Sequence, residues 1–285
     1  MQIDRLHAVL TADFTAAGIE CPDYDAALLI EECAGISRTE RLLYGSRELP
    51  EDVHSRIIAL AGRRIAREPL QYLTGKGYFM DLELTVTPAV LIPRPETELL
   101  VEWVLQKLPV NGRMADIGTG SGAIALSVAF ERKDAVVTAV DISEAALKIA
   151  AANRDKYALD VRLLQSDLFS ALAGEKFDMV TANLPYVTEE EYLTLEPEVR
   201  CHEPKLALTA PEDGFALIRE SVRQLPEHLL PGGRAIWELD PAQAPKLAAL
   251  LEESGFQEVT IHQDYTHRDR FVSAKKINTD ILSGR

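Results

Sequence analysis

The sequence predicts an α/β protein whose doubly wound, mostly parallel sheet is preceded by a small all-helical domain and a β-hairpin connector. Three observations predict it. Residues 1–75 show only helical periodicity, residues 76–95 alternate apolar and polar side chains, and later apolar runs alternate with helical segments. Strands separated by helices of about 10–15 residues are typical of a parallel sheet with helices on both faces. We therefore expect a helical domain over 1–75, a connector over 76–95 and an α/β domain over 96–285.

Helical spacing and capping signals predict four short helices within residues 1–75. In the first, Ile3, Leu6, Leu10 and Phe14 recur about one helical turn apart and form one apolar face. The starts and stops of the helices are marked by Gly18, Pro22, Gly35, the capping box of Ser37 and Glu40, and Pro50. Helices this short are stable only when their apolar faces pack together, so we expect a small bundle.

Strands and helices alternate through the rest of the chain. The connector, "KGYFMDLELTVTPAVLIP", ends in prolines and leads into the helix "RPETELLVEWVLQKL". The predicted strands are "RMADIG", "AVVTAVDI", "VRLLQSD", "FDMVTANL", "RAIWEL", "EVTIHQD" and "RFVSAKK". The predicted helices among them are "GAIALSVAFER", "SEAALKIAAANRDKY", a segment near 212–228 and "PAQAPKLAALLEESG". The last two strands are close enough in sequence to pair antiparallel at one edge of the sheet.

Composition and charge narrow the range of partners and compartments. The net charge is −15, from 30 basic and 45 acidic residues, whereas a protein that holds nucleic acid by its backbone usually presents a basic face. No apolar run reaches the roughly 18 residues of a membrane span, and the N-terminus lacks the basic region of a signal peptide. The cysteines form no CxxC pair and the histidines show no ligand spacing. We therefore expect reduced thiols, no metal, no membrane and a cytoplasmic location.

The segment "ADIGTGSGAIAL" predicts a ligand site between the first strand of the α/β domain and the following helix. Its turn comprises Gly118, Thr119, Gly120, Ser121 and Gly122. Glycines permit a positive φ and a close approach of ligand to backbone, and open α/β sheets bind ligands at the carboxyl ends of their strands. The turn also fits the relaxed G-x-G-x-x-A fingerprint. By itself it therefore does not separate a nicotinamide cofactor from S-adenosyl-L-methionine.

Acidic residues end each of the first three strands of this domain. Asp141, after the second strand, can accept hydrogen bonds from both hydroxyls of a ribose, or it can cap the following helix. Asp167, after the third, can accept a hydrogen bond from an adenine amine, with Leu168 covering the ring. Asp116 precedes the glycine turn and can orient it or meet the amino group of the cofactor. Three acids on one rim favour a ligand that contains adenosine.

The fourth strand ends in Asn183, Leu184, Pro185 and Tyr186, where an ordinary central strand would not place a proline. In a doubly wound sheet this strand adjoins the first, so the tetrapeptide faces the ligand crevice. The Asn183 side-chain oxygen and the Leu184 carbonyl can accept the two N–H groups of a substrate amide and favour positive charge on its nitrogen. Pro185 stiffens the turn, and Tyr186 can stack on the planar group. This pattern predicts methyl transfer, which needs neither a strong nucleophile nor a metal.

Several blocks together resemble one family. The segments "REPLQYLTG", "LIPRPETELLVE", "DIGTGSGAIAL", "VDIS", "QSDLF", "NLPY" and "EPKLAL" occur in the order found in the release-factor glutamine methyltransferases of the HemK/PrmC type. The resemblance implies a helical N-terminal domain that holds the protein substrate and a seven-stranded, Rossmann-like S-adenosyl-L-methionine domain. It also implies N5-methylation of the glutamine in the Gly-Gly-Gln motif of class I peptide-chain release factors, with S-adenosyl-L-homocysteine as the other product.

The resemblance also assigns roles to individual residues. It implies that Gly118 to Gly122 and Asp141 bind the cofactor, with Leu168 near the adenine. It implies that Asn183 to Tyr186 hold the substrate glutamine, with Asn183 close to the methyl donor, and that "PRPETE" lines the cofactor mouth. The family usually has Asn-Pro-Pro-Tyr, so Leu184 replaces the first proline here. Its carbonyl acceptor remains, while its φ is less restricted.

Three other functions remain open at this point. An amino-group methyltransferase acting on adenine in nucleic acid can share the "NLPY" segment, because an exocyclic amine presents the same two N–H groups. The acidic charge and the absence of a basic target-recognition domain argue against it. The others are a nicotinamide-dependent oxidoreductase and a binding module that kept the fold without the activity.

Overall fold

A computed structural model describes residues 1–277 of the chain, which divides into two compact units. One unit comprises residues 1–76 together with 196–202, and the other comprises residues 77–195 together with those from 203 onward. Among the described residues, no helix has the length and apolar character needed to cross a membrane.

The first unit is helical. Its helices are Ile3–Ala16, Pro22–Ala34, Arg38–Leu43, Glu51–Ile65, Leu70–Thr74 and Pro197–His202. The apolar face predicted for the first helix is buried, and the predicted capping box forms, with the Ser37 hydroxyl accepting from the Glu40 N–H. The Arg64 guanidinium donates to Asp25 at 2.7 Å and to Glu198 at 3.0 Å, so one buried cation ties residues 196–202 into this unit.

The predicted hairpin follows at the start of the second unit, and its strands are β1 (Lys76–Phe79), whose first residue still belongs to the first unit, and β2 (Leu82–Thr85). The helix Thr97–Lys107 follows. The main sheet is built from β3 (Arg113–Ile117), β4 (Val136–Asp141), β5 (Val161–Gln165), β6 (Phe177–Asn183), β7 (Leu229–Glu238), β8 (Gln257–Gln263) and β9 (Asp269–Lys275). The longer helices are Ala123–Glu131, Glu144–Lys156, Ala216–His228 and Ala244–Glu253; shorter ones are Ser170–Leu172, Glu189–Tyr192, Lys205–Leu208 and Pro241–Gln243.

The strand order in the seven-stranded sheet is β5-β4-β3-β6-β7-β9-β8. Strands β3 to β7 pair in parallel, whereas β9 runs antiparallel to both of its neighbours. The predicted α/β, doubly wound fold is therefore confirmed, including the antiparallel pairing of the last two strands. Because the chain order reverses between β3 and β6, the carboxyl ends of these two strands border the crevice where such sheets bind ligands.

Candidate active site

A cavity of about 580 Å³ opens at the carboxyl ends of β3, β4, β5 and β6. The predicted site residues that line it are Gly118, Thr119, Gly120, Ser121, Asp141, Asp167, Leu168, Asn183, Leu184 and Pro185. Gly122 and Tyr186 lie beside it and are not among the lining residues. The sheet thus brings together side chains that are far apart in the sequence, because each one lies at the end of a strand or just after it, on the same rim.

The glycine turn adopts backbone conformations that favour glycine. Gly118 has φ +76°, and a Cβ placed there would lie 3.1 Å from Leu184 Cδ2, so the turn and the end of β6 are in close contact. Gly122 has φ +86° and starts the helix Ala123–Glu131, where a Cβ would lie 2.8 Å from Leu126 Cδ1. A Cβ at Gly120 would meet no atom within 4 Å. The open space in the turn therefore lies over Gly120, where a ligand can approach the backbone.

Asp141 holds the glycine turn as well as facing the cavity. Its Oδ2 accepts from the Gly120 N–H at 2.8 Å, and its Oδ1 accepts from the Ser143 N–H at 2.9 Å. The cap of the following helix is Ser143, whose hydroxyl accepts from the Ala146 N–H, so the alternative capping role for Asp141 is wrong. Burial raises the pKa of Asp141, and its backbone hydrogen bonds oppose that rise. Each carboxylate oxygen keeps lone-pair capacity for a ribose hydroxyl.

Asp116 is buried within the sheet. Its Oδ1 accepts from the Thr181 hydroxyl at 2.7 Å, across the paired strands β3 and β6. Burial raises the pKa of Asp116 to about 6, while the hydrogen bond from Thr181 opposes the rise. Asp116 is not among the residues that line the cavity, and both roles predicted for it stay predictions.

Asp167 and Leu168 form a turn after β5. The Asp167 N–H donates to Ser170 Oγ at 3.1 Å, while none of residues 1–277 donates a hydrogen bond to its exposed carboxylate. Leu168 is buried with φ +46°, a left-handed conformation that costs a non-glycine residue about 1–3 kcal/mol. The Ser166 hydroxyl donates to the Leu168 carbonyl at 2.8 Å and helps hold that conformation. The turn thereby places an apolar side chain and a carboxylate at the cavity wall.

The Asn-Leu-Pro-Tyr segment begins at the last residue of β6. Asn183 is half-buried, and its side-chain amide makes no hydrogen bond with any residue in the described part of the chain. Leu184 is 4% exposed and packs on Gly118. Tyr186 is partly buried, and its carbonyl accepts from Gln243 Nε2 at 3.2 Å. Burial, with the added charge of Glu238, raises the pKa of Tyr186 to about 12. The segment therefore offers a free amide at the cavity and a neutral phenol beside it.

The "PRPETE" block contributes two lining residues whose partners the sequence analysis missed. Arg94 Nη2 donates to Glu203 Oε1 at 2.6 Å, and the other oxygen of Glu203 accepts from the Ile92 N–H at 3.2 Å. Thr97 Oγ1 donates to Glu238 Oε2 at 2.6 Å. Both glutamates are buried. The "EPKLAL" and "RAIWEL" segments hold these acids, and a glutamate in an otherwise apolar strand is the signal that could have drawn attention to Glu238.

Asn153 was also missed. It is fully buried in the helix Glu144–Lys156 and its amide makes three hydrogen bonds. Its Oδ1 accepts from the Thr85 N–H at 2.7 Å, while its Nδ2 donates to the Thr85 and Ser121 carbonyls at 3.0 Å. It thus joins the hairpin to the glycine turn. No sequence pattern distinguishes it from a surface asparagine.

Comparisons with known proteins indicate which families the chain is similar to. Residues 95–196 match the family model described as "Methyltransferase small domain", and residues 6–75 match "PrmC N-terminal domain". The chain is 41% identical over 278 residues to the release factor glutamine methyltransferase of Deinococcus radiodurans, covering 97% of this chain and 99% of the relative.

Two solved structures share the fold of the chain. A methyltransferase from Pyrococcus furiosus matches with a TM-score of 0.54 at 18% identity, covering 80% of this chain and 100% of that one. The Thermus thermophilus 16S rRNA N2 G1207 methyltransferase, solved with AdoMet and guanosine, matches with a TM-score of 0.52 at 22% identity, covering 70% and 49%. At these identities the two matches show the fold alone.

Proposed function

Since the chain belongs to the family of release factor glutamine methyltransferases, we propose that it methylates the N5 side-chain nitrogen of a release-factor glutamine. The methyl donor is S-adenosyl-L-methionine, and S-adenosyl-L-homocysteine is released. The substrate is the glutamine of the Gly-Gly-Gln motif in class I peptide-chain release factors. We further propose that residues 1–75 form a domain that holds the protein substrate and that residues 96–285 form the domain that carries out the methyl transfer. Residues 76–95 connect these two domains.

One observation carries this proposal: the glycine turn and the segment formed by Asn183 and Leu184 line the same cavity. The contact between Gly118 and Leu184 puts the two segments side by side. A methyl donor on the turn and an amide held by Asn183 would therefore meet at the same place. Alignment at roughly 3–3.5 Å is the main requirement of such a transfer.

The residues of the glycine turn suit S-adenosyl-L-methionine. The open space over Gly120 admits a ligand against the backbone, Asp141 keeps acceptor capacity for ribose hydroxyls, and the side chains of Asp167 and Leu168 suit an adenine amine and its ring. The proposed cofactor residues are Gly118, Thr119, Gly120, Ser121, Gly122, Asp141, Asp167, Leu168 and Asn183. When bound, the donor supplies a methyl group made electrophilic by its positively charged sulphur.

We propose that the protein orients the substrate amide nitrogen, which is a poor nucleophile. An amide nitrogen shares its lone pair with its carbonyl, so charge must be allowed to develop on it. Asn183 Oδ1 and the Leu184 carbonyl accept its two N–H groups, and these acceptors gain strength as the nitrogen becomes positive. Pro185 limits the mobility of the turn, and Tyr186 packs against the planar amide once substrate enters.

Transfer of labelled methyl to a purified class I release factor tests the function. We expect label on the glutamine of Gly-Gly-Gln and none on a matched factor in which that glutamine is alanine. Label that appears on RNA or DNA and not on the release factor would contradict the proposal. Calorimetry separates the oxidoreductase alternative, because that function requires binding of NADH and no binding of S-adenosyl-L-methionine.

A further inference from the structure

Glu238 is a buried acid to which the proposed mechanism gives no part. It ends β7 and is 3% exposed. Its one side-chain hydrogen bond within residues 1–277 comes from Thr97, a neutral hydroxyl, and no basic side chain in that range forms an ion pair with it. A buried carboxylate that forms no direct ion pair is costly, and such groups cluster at functional sites.

Strand pairing places Glu238 beside Asn183. The two residues are register partners at the ends of the parallel strands β6 and β7. Register partners on adjacent strands direct their side chains to the same face of a sheet, with Cβ atoms about 5 Å apart. Thr97, which donates to Glu238, lines the cavity together with Asn183. The carboxylate therefore adjoins the proposed substrate amide site.

Asn183 needs such a neighbour. Its amide can present either an oxygen acceptor or an NH2 donor, and the two orientations differ by a simple rotation. To accept a hydrogen bond from a substrate N–H, the Asn183 oxygen must face the cavity, and the Asn183 NH2 group then faces the protein. No hydrogen bond of Asn183 to the described residues fixes that choice. Glu238 Oε1 accepts no side-chain hydrogen bond in the same part of the chain, since Thr97 uses Oε2.

We propose that Glu238 is a positioning residue: ionised, it accepts a hydrogen bond from Asn183 Nδ2 and so turns Asn183 Oδ1 towards the substrate nitrogen. This inference rests on the proposed function. The negative charge also polarises the Asn183 amide and strengthens its oxygen as an acceptor while positive charge develops on the substrate. A protonated Glu238 is a weaker acceptor and can instead donate to Asn183 Oδ1, which would turn the oxygen away.

The ionisation of Glu238 falls in an accessible range of pH. Burial raises the pKa of Glu238 to about 7, and the hydrogen bond with Thr97 opposes the rise. The charged and titratable groups around it, from every neighbouring element, are Arg94, Glu96, Tyr186, Asp240 and Arg270. The two arginines favour the ionised form and Glu96 disfavours it. We therefore expect the rate of transfer to fall as the pH drops through about 7.

Glu238→Gln tests the proposal. Glutamine can still accept from Thr97, but it then offers its NH2 group to Asn183 and favours the wrong orientation of that amide. We expect kcat to fall about 10²-fold, with little change in KM for the release factor or in affinity for S-adenosyl-L-methionine. Glu258→Gln is the matched control, because Glu258 is an exposed glutamate of the same sheet that pairs with Arg234 and Lys275. It should leave kcat unchanged.

Two further measurements separate positioning from support of the fold. Thr97→Val removes the hydroxyl that donates to Glu238 but leaves the Glu238 carboxylate. If Glu238 only supports the fold, Thr97→Val and Glu238→Gln should lower kcat equally. If Glu238 positions Asn183, Thr97→Val should lower kcat much less than Glu238→Gln does. The wild-type kcat should show an ionisation near pH 7 that Glu238→Gln lacks.

A wild-type enzyme that methylates the release factor without that ionisation would overturn the inference and leave the proposed function intact, even if Glu238→Gln does not fold. So would a Glu238→Gln enzyme with kcat within twofold of wild type. A wild-type enzyme that does not methylate the release factor would overturn the proposed function first.

Discussion

At the scale of single residues, the site depends on side chains that each meet two demands. Asp141 accepts from the glycine turn while keeping lone pairs for a ligand, and Leu184 fills the core while presenting its carbonyl. Such double use explains why polar residues end otherwise apolar strands here. We therefore expect that truncating such a side chain affects structure, ligand binding or both, depending on which of its contacts is removed.

Asn183→Ala removes one of the two proposed acceptors for the substrate amide. We expect kcat to fall about 10²–10³-fold, as for the loss of one well-placed transition-state hydrogen bond. Cofactor affinity should stay mostly intact, because Asn183 is only one of the proposed cofactor residues and the glycine turn is untouched. Single-turnover methyl transfer and calorimetry measure the two quantities. Turnover comparable to wild type would contradict the proposal that Asn183 accepts a hydrogen bond from the substrate amide.

Asp141→Ala should act on the cofactor instead. The Gly120 and Ser143 N–H groups both lose their acceptor, and any ribose hydroxyl loses its partner. A cost of about 1–3 kcal/mol corresponds to affinity for S-adenosyl-L-homocysteine weakened by roughly 5- to 150-fold. Titration calorimetry checks it. Asp155→Ala is the control, because Asp155 is exposed; equal affinities in the two variants would refute the assignment.

At the scale of elements, periodicity and turn residues predicted most strands and helices in the correct order. The strand predicted as "RAIWEL" begins earlier, at Leu229, and includes Gly232 and Gly233, with a register irregularity against β6. The prediction of four helices within residues 1–75 is wrong, since the structure has five there. The helices Leu70–Thr74, Glu189–Tyr192 and Lys205–Leu208 were not predicted, because segments this short show no hydrophobic period.

The predicted part of the site is the part encoded locally. Strand ends and glycine turns can be recognised within a few residues, so Gly118, Asp141 and Asn183 could be found. Contacts between distant residues could not be found in this way: the Thr97–Glu238 hydrogen bond joins residues 141 positions apart. Asn153 likewise takes its role from Thr85, which is 68 positions away. Only the pairing of elements brings such residues together.

Gly122→Ala tests the packing of the helix that follows the glycine turn. A Cβ there meets Leu126 at 2.8 Å in a left-handed backbone, so we expect a loss of about 2–3 kcal/mol in the free energy of unfolding. Gly174→Ala is the matched control: its φ is +77°, but a Cβ would meet no atom within 4 Å. It should lose only about 1 kcal/mol. Equal losses in urea denaturation would show that the contact with Leu126 relaxes freely.

At the scale of the whole molecule, the net charge of −15 and the buried acids make stability depend on pH. Glu238 has an ordinary pKa of 4.5, raised to about 7 in the fold, and the pKa of Asp116 rises from 3.8 to about 6. The folded chain therefore keeps protons that the unfolded chain has released. Between about pH 4.5 and 7, the contribution of Glu238 to folding free energy becomes less favourable as the pH rises.

Glu238→Gln should remove that contribution while lowering activity. We expect the Tm of the variant relative to wild type to increase from pH 5 to pH 8, because only the wild type must bury a charge at the higher pH. Scanning calorimetry at the two pH values measures it. A Tm difference that does not change with pH would show that Glu238 does not titrate in this range.

In the proposed mechanism, Asn183 Oδ1 and the Leu184 carbonyl accept hydrogen bonds from the two N–H groups of the substrate amide, beside the methyl donor. A crystal structure with S-adenosyl-L-homocysteine and a peptide containing Gly-Gly-Gln tests it most directly. We predict that the glutamine nitrogen lies within about 3.2 Å of both oxygens and faces the sulphur. A glutamine bound elsewhere, with Asn183 turned towards bulk solvent, would contradict the account.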